Sequence, residues 1–416
     1  MQRDYCTDAR WRVARIASTN RGGPVLSLAE LTVDDLRCIE HAELQLHPGH
    51  NLIWGGNGSG KTSLLEAIFL LGRGRSFRTR NSERLIRHGR DRLVVFGRAA
   101  RGNDPGESTH SDVGIARLGA GQANRSADDP ADLMRPGIPS SLTQALGVQV
   151  SRADGTIARI SGATARSLTE LTQAFPVQVI DPGVHKLVEE GGHRRRRWMD
   201  WAVFHVEHQF GDWWLRYTRI LKQRNAALRT QPAQVSAWDT ELARMGELIA
   251  ESRRLFVESL LPYWRESVLA LSGLEPELHY FKGWAQDVSL AEALVASKTR
   301  DESKRLTHPG PHRADVIVRM NGRPAREVLS RGQQKLVAVA MTLAQLNLLQ
   351  EATQTTPTLL LDDPAAELDG DHLRRFIEQV MRLQSQLVLT SLHSESHLFG
   401  TPNRVFHVEQ GRVQPV

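Results

Sequence analysis

The stretch GGNGSGKT at residues 55–62 decides the fold of this chain. It matches the pattern G-x-x-x-x-G-K-[ST] and lies between an apolar segment, NLIW (51–54), and a segment with apolar residues at helical spacing (64–71). A glycine loop between a strand and a helix predicts a nucleoside triphosphate site in an α/β domain. The residues assigned to the nucleotide are Gly55, Gly56, Asn57, Gly58, Ser59, Gly60, Lys61 and Thr62.

Each residue type in this loop has a physical reason to be there. The glycines let backbone N–H groups turn inward toward phosphate oxygens, and the positive end of the helix dipole points at the same place. Lys61 supplies a cation for the β- and γ-phosphates, and the Thr62 hydroxyl is a candidate Mg²⁺ ligand. The motif alone does not choose between a kinase, a transporter subunit, a helicase and a DNA-binding protein.

An apolar strand that ends in two carboxylates, TLLLDD (358–363), supplies the second part of such a site. We expect Asp362 to hold Mg²⁺ through water. We expect Asp363 to polarise the water that attacks the γ-phosphate, so Asp363 and Lys61 are the predicted catalytic residues.

A second helix start, LSRGQQK (329–335), precedes a long apolar helix. Ser330 is expected to cap that helix, and its hydroxyl together with the Gly332 N–H would form another anion site. The order of glycine loop, this signature loop and acidic strand is that of ATP-binding-cassette ATPases, in which the signature loop of one subunit closes on ATP held by the other. The resemblance to that class therefore implies a head-to-tail dimer with ATP in its interface. The signature residues assigned to the nucleotide are Ser330, Arg331, Gly332 and Gln333.

Composition narrows the class of protein further. The 416 residues carry a net charge of +6 and include 46 arginines against seven lysines, a balance that suits a polyanionic partner or reflects codon bias in a GC-rich genome. The two cysteines, Cys6 and Cys38, permit neither a disulfide framework nor a zinc site of their own. No apolar run approaches the roughly 20 residues of a membrane helix, and no signal peptide is apparent. We expect a cytoplasmic protein.

The pattern of strands and helices predicts an α/β chain in which two α/β pieces flank a helical insertion. The resemblance of the motifs to those of cassette- and SMC-type ATPases implies a two-lobed ATPase head of the P-loop class, with the insertion as a helical arm. Strand-like runs at 93–96, 113–116 and 177–180 precede long amphipathic helices, and further strands follow after residue 305. The predicted divisions are an extension (1–25), lobe one with the glycine loop (26–185), the arm (186–304) and lobe two (305–416).

Several segments resemble the RecF family of bacterial recombination mediators, which is related to SMC-type heads. They are GGNGSGKTSLLEAIFLLGRGRSFR (55–78), VQVIDPGVHKLVEEGGHRRRRWMDW (177–201), LKQRNAALR (221–229), THPGPHRAD (307–315), LSRGQQKL (329–336) and LLLDDPAAELD (359–369). The resemblance implies ATP-dependent binding to DNA at gaps, dimerisation, slow ATP hydrolysis, and work with RecO and RecR to load RecA.

Arginine clusters are the candidate DNA contacts, because arginine grips phosphate without reading bases. The alternative is a solvated basic face. The residues are Arg73, Arg75, Arg78, Arg80, Arg194, Arg195, Arg196 and Arg197.

Four other residues have an open role. Gln178 stands at the place of a Q-loop, where it would touch Mg²⁺ or the attacking water, or it is a strand-end amide. Arg37 either contacts nucleotide or is a surface arginine, and Asp369 is a candidate contact across the dimer. Thr390-Ser391 replaces the Thr-His of transporter ATPases, which leaves His393 as the possible substitute for that histidine.

Two rival functions remain at this stage. One is the ATP-hydrolysing subunit of a transporter, or another P-loop ATPase that does not act on DNA. The other is a structural clamp or loader platform in which ATP is a switch and turnover is incidental.

Overall fold

The computed structural model describes residues 25–102, 143–366, 368, 370–394 and 399–416. The predicted extension up to residue 24, the predicted strand at 113–116 and the candidate interface residue Asp369 lie outside these ranges.

Strands and helices alternate through the described part of the chain. The strands are β1 Val25–Leu36, β2 Ile39–Gln45, β3 His50–Trp54, β4 Arg92–Gly102, β5 Thr143–Ser151, β6 Gly155–Ile160, β7 Ala163–Thr164, β8 Val177–Ile180, β9 Glu277–Phe281, β10 Asp315–Met320, β11 Arg323–Pro324, β12 Thr358–Leu361, β13 Leu387–Ser391, β14 Arg404–Glu409 and β15 Arg412–Pro415. The α-helices are α1 Lys61–Arg73, α2 Leu168–Ala174, α3 Lys186–Glu189, α4 Gly192–Val206, α5 Phe210–Thr230, α6 Asp239–Ser272, α7 Leu290–Lys304, α8 Ala325–Val328, α9 Arg331–Thr353 and α10 Gly370–Arg382.

A six-stranded sheet in the order β15-β14-β3-β13-β12-β8 carries the candidate site. From β14 to β8 every neighbouring pair is parallel. The carboxyl ends of these strands therefore meet at one edge, which is where α/β sheets bind ligands. The glycine loop follows β3, Asp362 follows β12 and Asp181 follows β8, so segments distant in sequence converge there.

A second, antiparallel sheet has the order β2-β1-β4-β5-β6-β7. Helix α1 shares one apolar core with strands of both sheets, and every residue of that helix except Thr62 is buried. Burial on all sides explains its nearly continuous apolar sequence.

Helices of the segment predicted as an arm belong to the same core as the signature helix α9, through residues such as Leu260, Trp264 and Leu343. Strand β9 within that segment pairs with β10, a strand that the sequence pattern assigns to lobe two. The long helices are thus interrupted by a strand, whose Leu278 and Tyr280 pair across to Val318 and Val316. The division into two lobes and an arm stays a prediction.

Within the described ranges, no helix is both long and apolar enough to cross a membrane.

Candidate nucleotide site

The glycine loop adopts a backbone that requires glycine at key positions. Gly58 has φ +74° and Gly60 has φ +119°, values that side chains rarely tolerate. A Cβ on Gly55 would lie 2.2 Å from the Val408 carbonyl oxygen of β14, so no larger residue fits there. Helix α1 begins directly after Gly60 without a side-chain cap. Its first N–H groups are left for a ligand at the loop.

Lys61 is folded onto this loop. Its Nζ donates to the carbonyl oxygens of Gly55 at 2.8 Å and Gly56 at 2.9 Å. Burial lowers the pKa of the Lys61 ammonium, while the neighbouring Asp363 and Asp362 carboxylates act in the opposite direction. The loop thus holds a cation next to the amides, in a position from which it can turn to an anionic ligand.

The predicted metal-binding residues meet at the sheet edge. The Thr62 hydroxyl donates to the two Asp362 carboxylate oxygens at 3.0 and 3.2 Å. The Thr390 hydroxyl donates to Asp362 Oδ1 at 2.8 Å and accepts from the Asp363 N–H at 3.0 Å. A hydroxyl beside a carboxylate is a hard-oxygen donor set, and it fits Mg²⁺.

Two residues that sequence reasoning missed also lie here. Thr390 orients Asp362, as described above. Asp181 lies near Asp362, since burial and the Asp362 charge both raise the pKa of the Asp181 carboxyl. The signal for Asp181 was present, because it follows the apolar strand VQVI as Asp362 follows TLLL.

Asp363 has a left-handed backbone with φ +47°, which is uncommon for a residue other than glycine. Such strain is typical of functional sites. The Asp363 carboxylate lies close enough to Lys61 to act on its ammonium, whose pKa it raises.

The signature loop has the capped geometry that the sequence predicts. Ser330 Oγ accepts from the Gln333 N–H at 3.3 Å, and the Ser330 N–H donates to Gln333 Oε1 at 3.0 Å. Ser330, Arg331 and Gly332 are exposed. The loop is therefore accessible to a second molecule.

A groove leads away from the glycine loop toward the β1–β2 turn. One cavity of about 240 Å³ lies over residues 56–59, and a neighbouring one of about 380 Å³ is lined by Cys38 and Arg87. The two cavities share the lining residues His407, Glu409 and Gln410, so they adjoin one another. Their combined size is that of a small-molecule site.

Three predicted roles need correction, because packing has buried the side chains. Arg73 and Arg195 are both buried, so neither presents a surface contact for DNA. Arg195 forms a two-pronged ion pair with Asp315 at 2.8 and 2.9 Å. Gln178 is buried too, and its amide bonds Arg73 and Gln345 rather than facing the glycine loop.

The Arg37 side chain is half-buried and points toward helix α1. Its guanidinium contacts the buried Glu66 carboxylate at 2.5 and 3.0 Å, on the side of helix α1. This geometry favours neither of the two roles considered for Arg37, since the side chain ties the β1–β2 turn to the helix.

Of the remaining arginines, Arg75 and Arg80 lie near Arg197, whereas Arg78 pairs with the Glu66 carboxylate at 3.7 Å. Arg75, Arg78, Arg80 and Arg197 are exposed. Burial, and then the charges of Arg80 and Arg194, lower the pKa of Arg197, and burial and Arg197 similarly lower the pKa of Arg75. Such mutual repulsion indicates a cluster of positive charges that a bound anion would stabilise.

The other two predicted contacts are partly engaged. Arg194 pairs with Glu190, and Arg196 donates to the Ala314 carbonyl oxygen at 2.6 Å.

Comparisons with known proteins agree with this architecture. Residues 27–118 and 139–414 match the model of the RecF/RecN/SMC N terminal domain. A protein of Cellvibrio japonicus named DNA replication and repair protein RecF is 36% identical over 401 residues, which covers 93% of this chain and 99% of the relative. A protein of Thioalkalivibrio sulfidiphilus with the same name is 37% identical over 394 residues, with the same coverage.

Solved structures show the same fold. The recombination mediator protein RecF bound to ATP, in the RecFOR pathway, has a TM-score of 0.78 at 24% identity and covers 95% of this chain and 99% of its own. An Smc head domain from Pyrococcus furiosus has a TM-score of 0.52 at 13% identity and covers 94% of this chain and 96% of its own. The predicted α/β ATPase-head fold is confirmed.

Proposed function

Because this chain belongs to the RecF family of DNA replication and repair proteins, we propose that it is an ATP-dependent, DNA-binding recombination mediator that acts at gapped DNA. The observation that carries the proposal is the convergence of the glycine loop, Thr62 and Asp362 at one sheet edge while the signature loop stays exposed. The solved structure described as the recombination mediator protein RecF with ATP supports it.

In this proposal the backbone amides of residues 55–60 and the Lys61 ammonium bind the ATP phosphates. Thr62 and Asp362 hold Mg²⁺, which would neutralise phosphate charge when bound. Asp363 accepts a proton from the attacking water. Hydrolysis is weak and acts as a switch.

Replacement of Lys61 tests the nucleotide site. Lys61→Met removes the only side-chain ammonium on the loop, so we expect ATP affinity to fall about a hundredfold and ATP-dependent dimerisation to be lost. Isothermal calorimetry and analytical ultracentrifugation measure the two effects. Lys298→Met, on the exposed face of α7, is the control. An unchanged ATP affinity in Lys61→Met would contradict the assignment.

The groove beside the loop is the proposed place of the nucleoside. Cys38 lines it, and its Sγ lies 3.1 Å from where a Cβ on Gly60 would be. In a Cys6→Ser background we expect ATP to slow alkylation of Cys38 at least tenfold, at protein concentrations too low for dimerisation. Inorganic tripolyphosphate should fill the loop without protecting Cys38. Equal protection by both ligands, or by neither, would place the nucleoside elsewhere.

The exposed signature loop is proposed to cover ATP held by a second copy of the chain. Ser330, Arg331 and Gly332 would contact the partner's γ-phosphate, and Gln333 would keep the loop in its capped form. Such a dimer has two equivalent sites, and bound ATP favours it by mass action.

The proposed DNA surface is the basic cluster formed by Arg75, Arg80 and Arg197, together with the exposed Arg78. Each contacted phosphate releases counterions, which makes binding salt-dependent with a slope of roughly −0.9 per contact. The double variant Arg75→Ala/Arg197→Ala should therefore lower the slope by about 1.8 and weaken binding equally for all sequences. Arg374→Ala, at an exposed ion pair on α10, is the control. An unchanged slope in the double variant would remove this surface from the proposal.

The proposed partners are RecO and RecR, and through them RecA, and the proposed location is the cytoplasm. Family membership supports these partners.

A further inference from the structure

A buried chain of side chains runs from the end of the phosphate-loop helix α1 to the signature helix α9. Arg73 is the last residue of α1, and its Nη2 donates to Gln178 Oε1 at 3.1 Å. Gln178 Nε2 donates to Gln345 Oε1, in the middle of α9, at 3.0 Å. Gln345 Nε2 donates to the Trp198 carbonyl oxygen of α4 at 2.7 Å. Each link points in the same direction, so the bonds polarise one another.

Arg73 is an unusual residue to begin such a chain. It is buried, and among the ion pairs of the described residues none includes it. Its guanidinium lies 4.6 Å from the centre of the Trp201 ring and 5.3 Å from that of Phe69, and its Nε donates to the Val177 carbonyl oxygen at 3.2 Å. The buried charge of Arg73 is compensated by the faces of these rings, by carbonyl oxygens and by the negative end of the α1 dipole.

A buried charge without a carboxylate partner adds little to the stability of the fold, because removal of the charge from water costs free energy. The directed hydrogen bonds of this chain instead specify one arrangement of the elements that they join. Those elements are the phosphate-loop helix, strand β8, the signature helix and the helix that carries the second arginine segment. Arg73 and Gln345 lie about 20 Å along their helices from the respective loops.

We propose that Arg73, Gln178 and Gln345 form a positioning relay that fixes the phosphate loop relative to the signature loop within one protomer. This inference rests on the proposed ATP-dependent dimer. In that dimer each protomer gives its phosphate loop to one composite site and its signature loop to the other. Both sites close together only if the two loops keep a fixed relation. The relay therefore acts on dimerisation and turnover, and not on the first binding of ATP.

The test is Gln345→Leu, which keeps the volume of the side chain and removes two links. We expect ATP affinity to stay within twofold of the parent, while the dissociation constant of the ATP-bound dimer rises at least tenfold and turnover falls in step. Gln178→Leu should likewise weaken the dimer and slow turnover without changing ATP affinity. It replaces Gln345→Leu as the test variant if Gln345→Leu does not fold. The double variant should be no worse than either single one, because the links form one chain. Gln379→Leu, a buried glutamine of α10, is the matched control.

The outcomes separate the relay from the proposed function. If the parent protein dimerises with ATP and the folded Gln345→Leu and Gln178→Leu variants dimerise equally well, the relay is overturned and the function stands. A variant that only loses thermal stability, with dimerisation and turnover unchanged, also overturns the relay. If the parent does not dimerise with ATP, the proposed function fails and the relay with it.

Discussion

Thr390 shows how one hydroxyl can organise the acidic end of the site. It is fully buried, donates to Asp362 and accepts from the backbone of Asp363. A single side chain thus positions both the carboxylate of Asp362, the proposed metal ligand, and the backbone of Asp363, the proposed proton acceptor.

Thr390→Val keeps the shape and removes the hydroxyl. We expect the free energy of unfolding to fall by about 1–3 kcal/mol, because the Asp363 N–H loses its partner, and ATP turnover to fall at least tenfold at unchanged ATP affinity. Urea unfolding and a phosphate-release assay measure these effects. Thr342→Val, a buried threonine that bonds only its own helix, is the control. Parental turnover in Thr390→Val would show that Asp362 needs no such support.

At this scale the sequence predicts some residues well and others not at all. Lys61, Thr62 and Asp362 are defined by short motifs whose geometry is local, and the structure brings Thr62 and Asp362 together. The prediction that Arg73 and Arg195 are surface residues is wrong. An arginine-rich segment does not indicate which guanidinium a distant element will bury. Trp201 covers Arg73, and Asp315 pairs with Arg195.

The segment between helix α7 and strand β10 couples stability to pH. His312 Nδ1 accepts from the Tyr217 hydroxyl, and its Nε2 donates to the Thr307 carbonyl oxygen. Burial lowers the pKa of His312 from 6.5 to about 4. The folded state therefore keeps this ring neutral down to about pH 4, while the unfolded chain takes up a proton near 6.5. Stability from this group is complete above pH 6.5 and declines as pH falls toward 4.

His312→Gln should remove this dependence. Between pH 7 and 5 the parent is expected to lose about 2 kcal/mol of unfolding free energy through His312, and the variant should lose correspondingly less. Urea unfolding at the two pH values measures the difference. His279→Gln, at an exposed site, is the control. Equal losses in parent and His312→Gln would mean that His312 is already charged in the folded state.

Elements were predicted unevenly, for physical reasons. The strands around the glycine loop have clear apolar patterns, whereas β5 and β6 (TQALGVQVS and GTIARI) mix polar and apolar residues and were not predicted. Strand β9 was missed because it is five residues long and lies between long helices. Its partner β10 supplies the pairing, which is a tertiary effect.

On the scale of the whole molecule, the candidate site exists only because the sheet combines both ends of the chain. Strands β3 and β8 come from the first half, and β12, β13 and β14 from the end. Ser330, Arg331 and Gly332 of the signature loop are exposed at the surface. In the proposed function, nucleotide binding, association with a second copy of the chain and DNA binding at the basic cluster depend on one another.

That dependence is the central claim, and fluorescence anisotropy on a labelled gapped duplex tests it most directly. The protein is titrated into the labelled DNA in the presence of ATP, of a non-hydrolysable analogue or of no nucleotide. The parental protein and Asp363→Asn are compared. We expect tight, salt-sensitive binding with either nucleotide and weak binding without one, and slower release from Asp363→Asn with ATP because the closed dimer is not reopened. Binding that is equally tight with and without nucleotide would contradict the account.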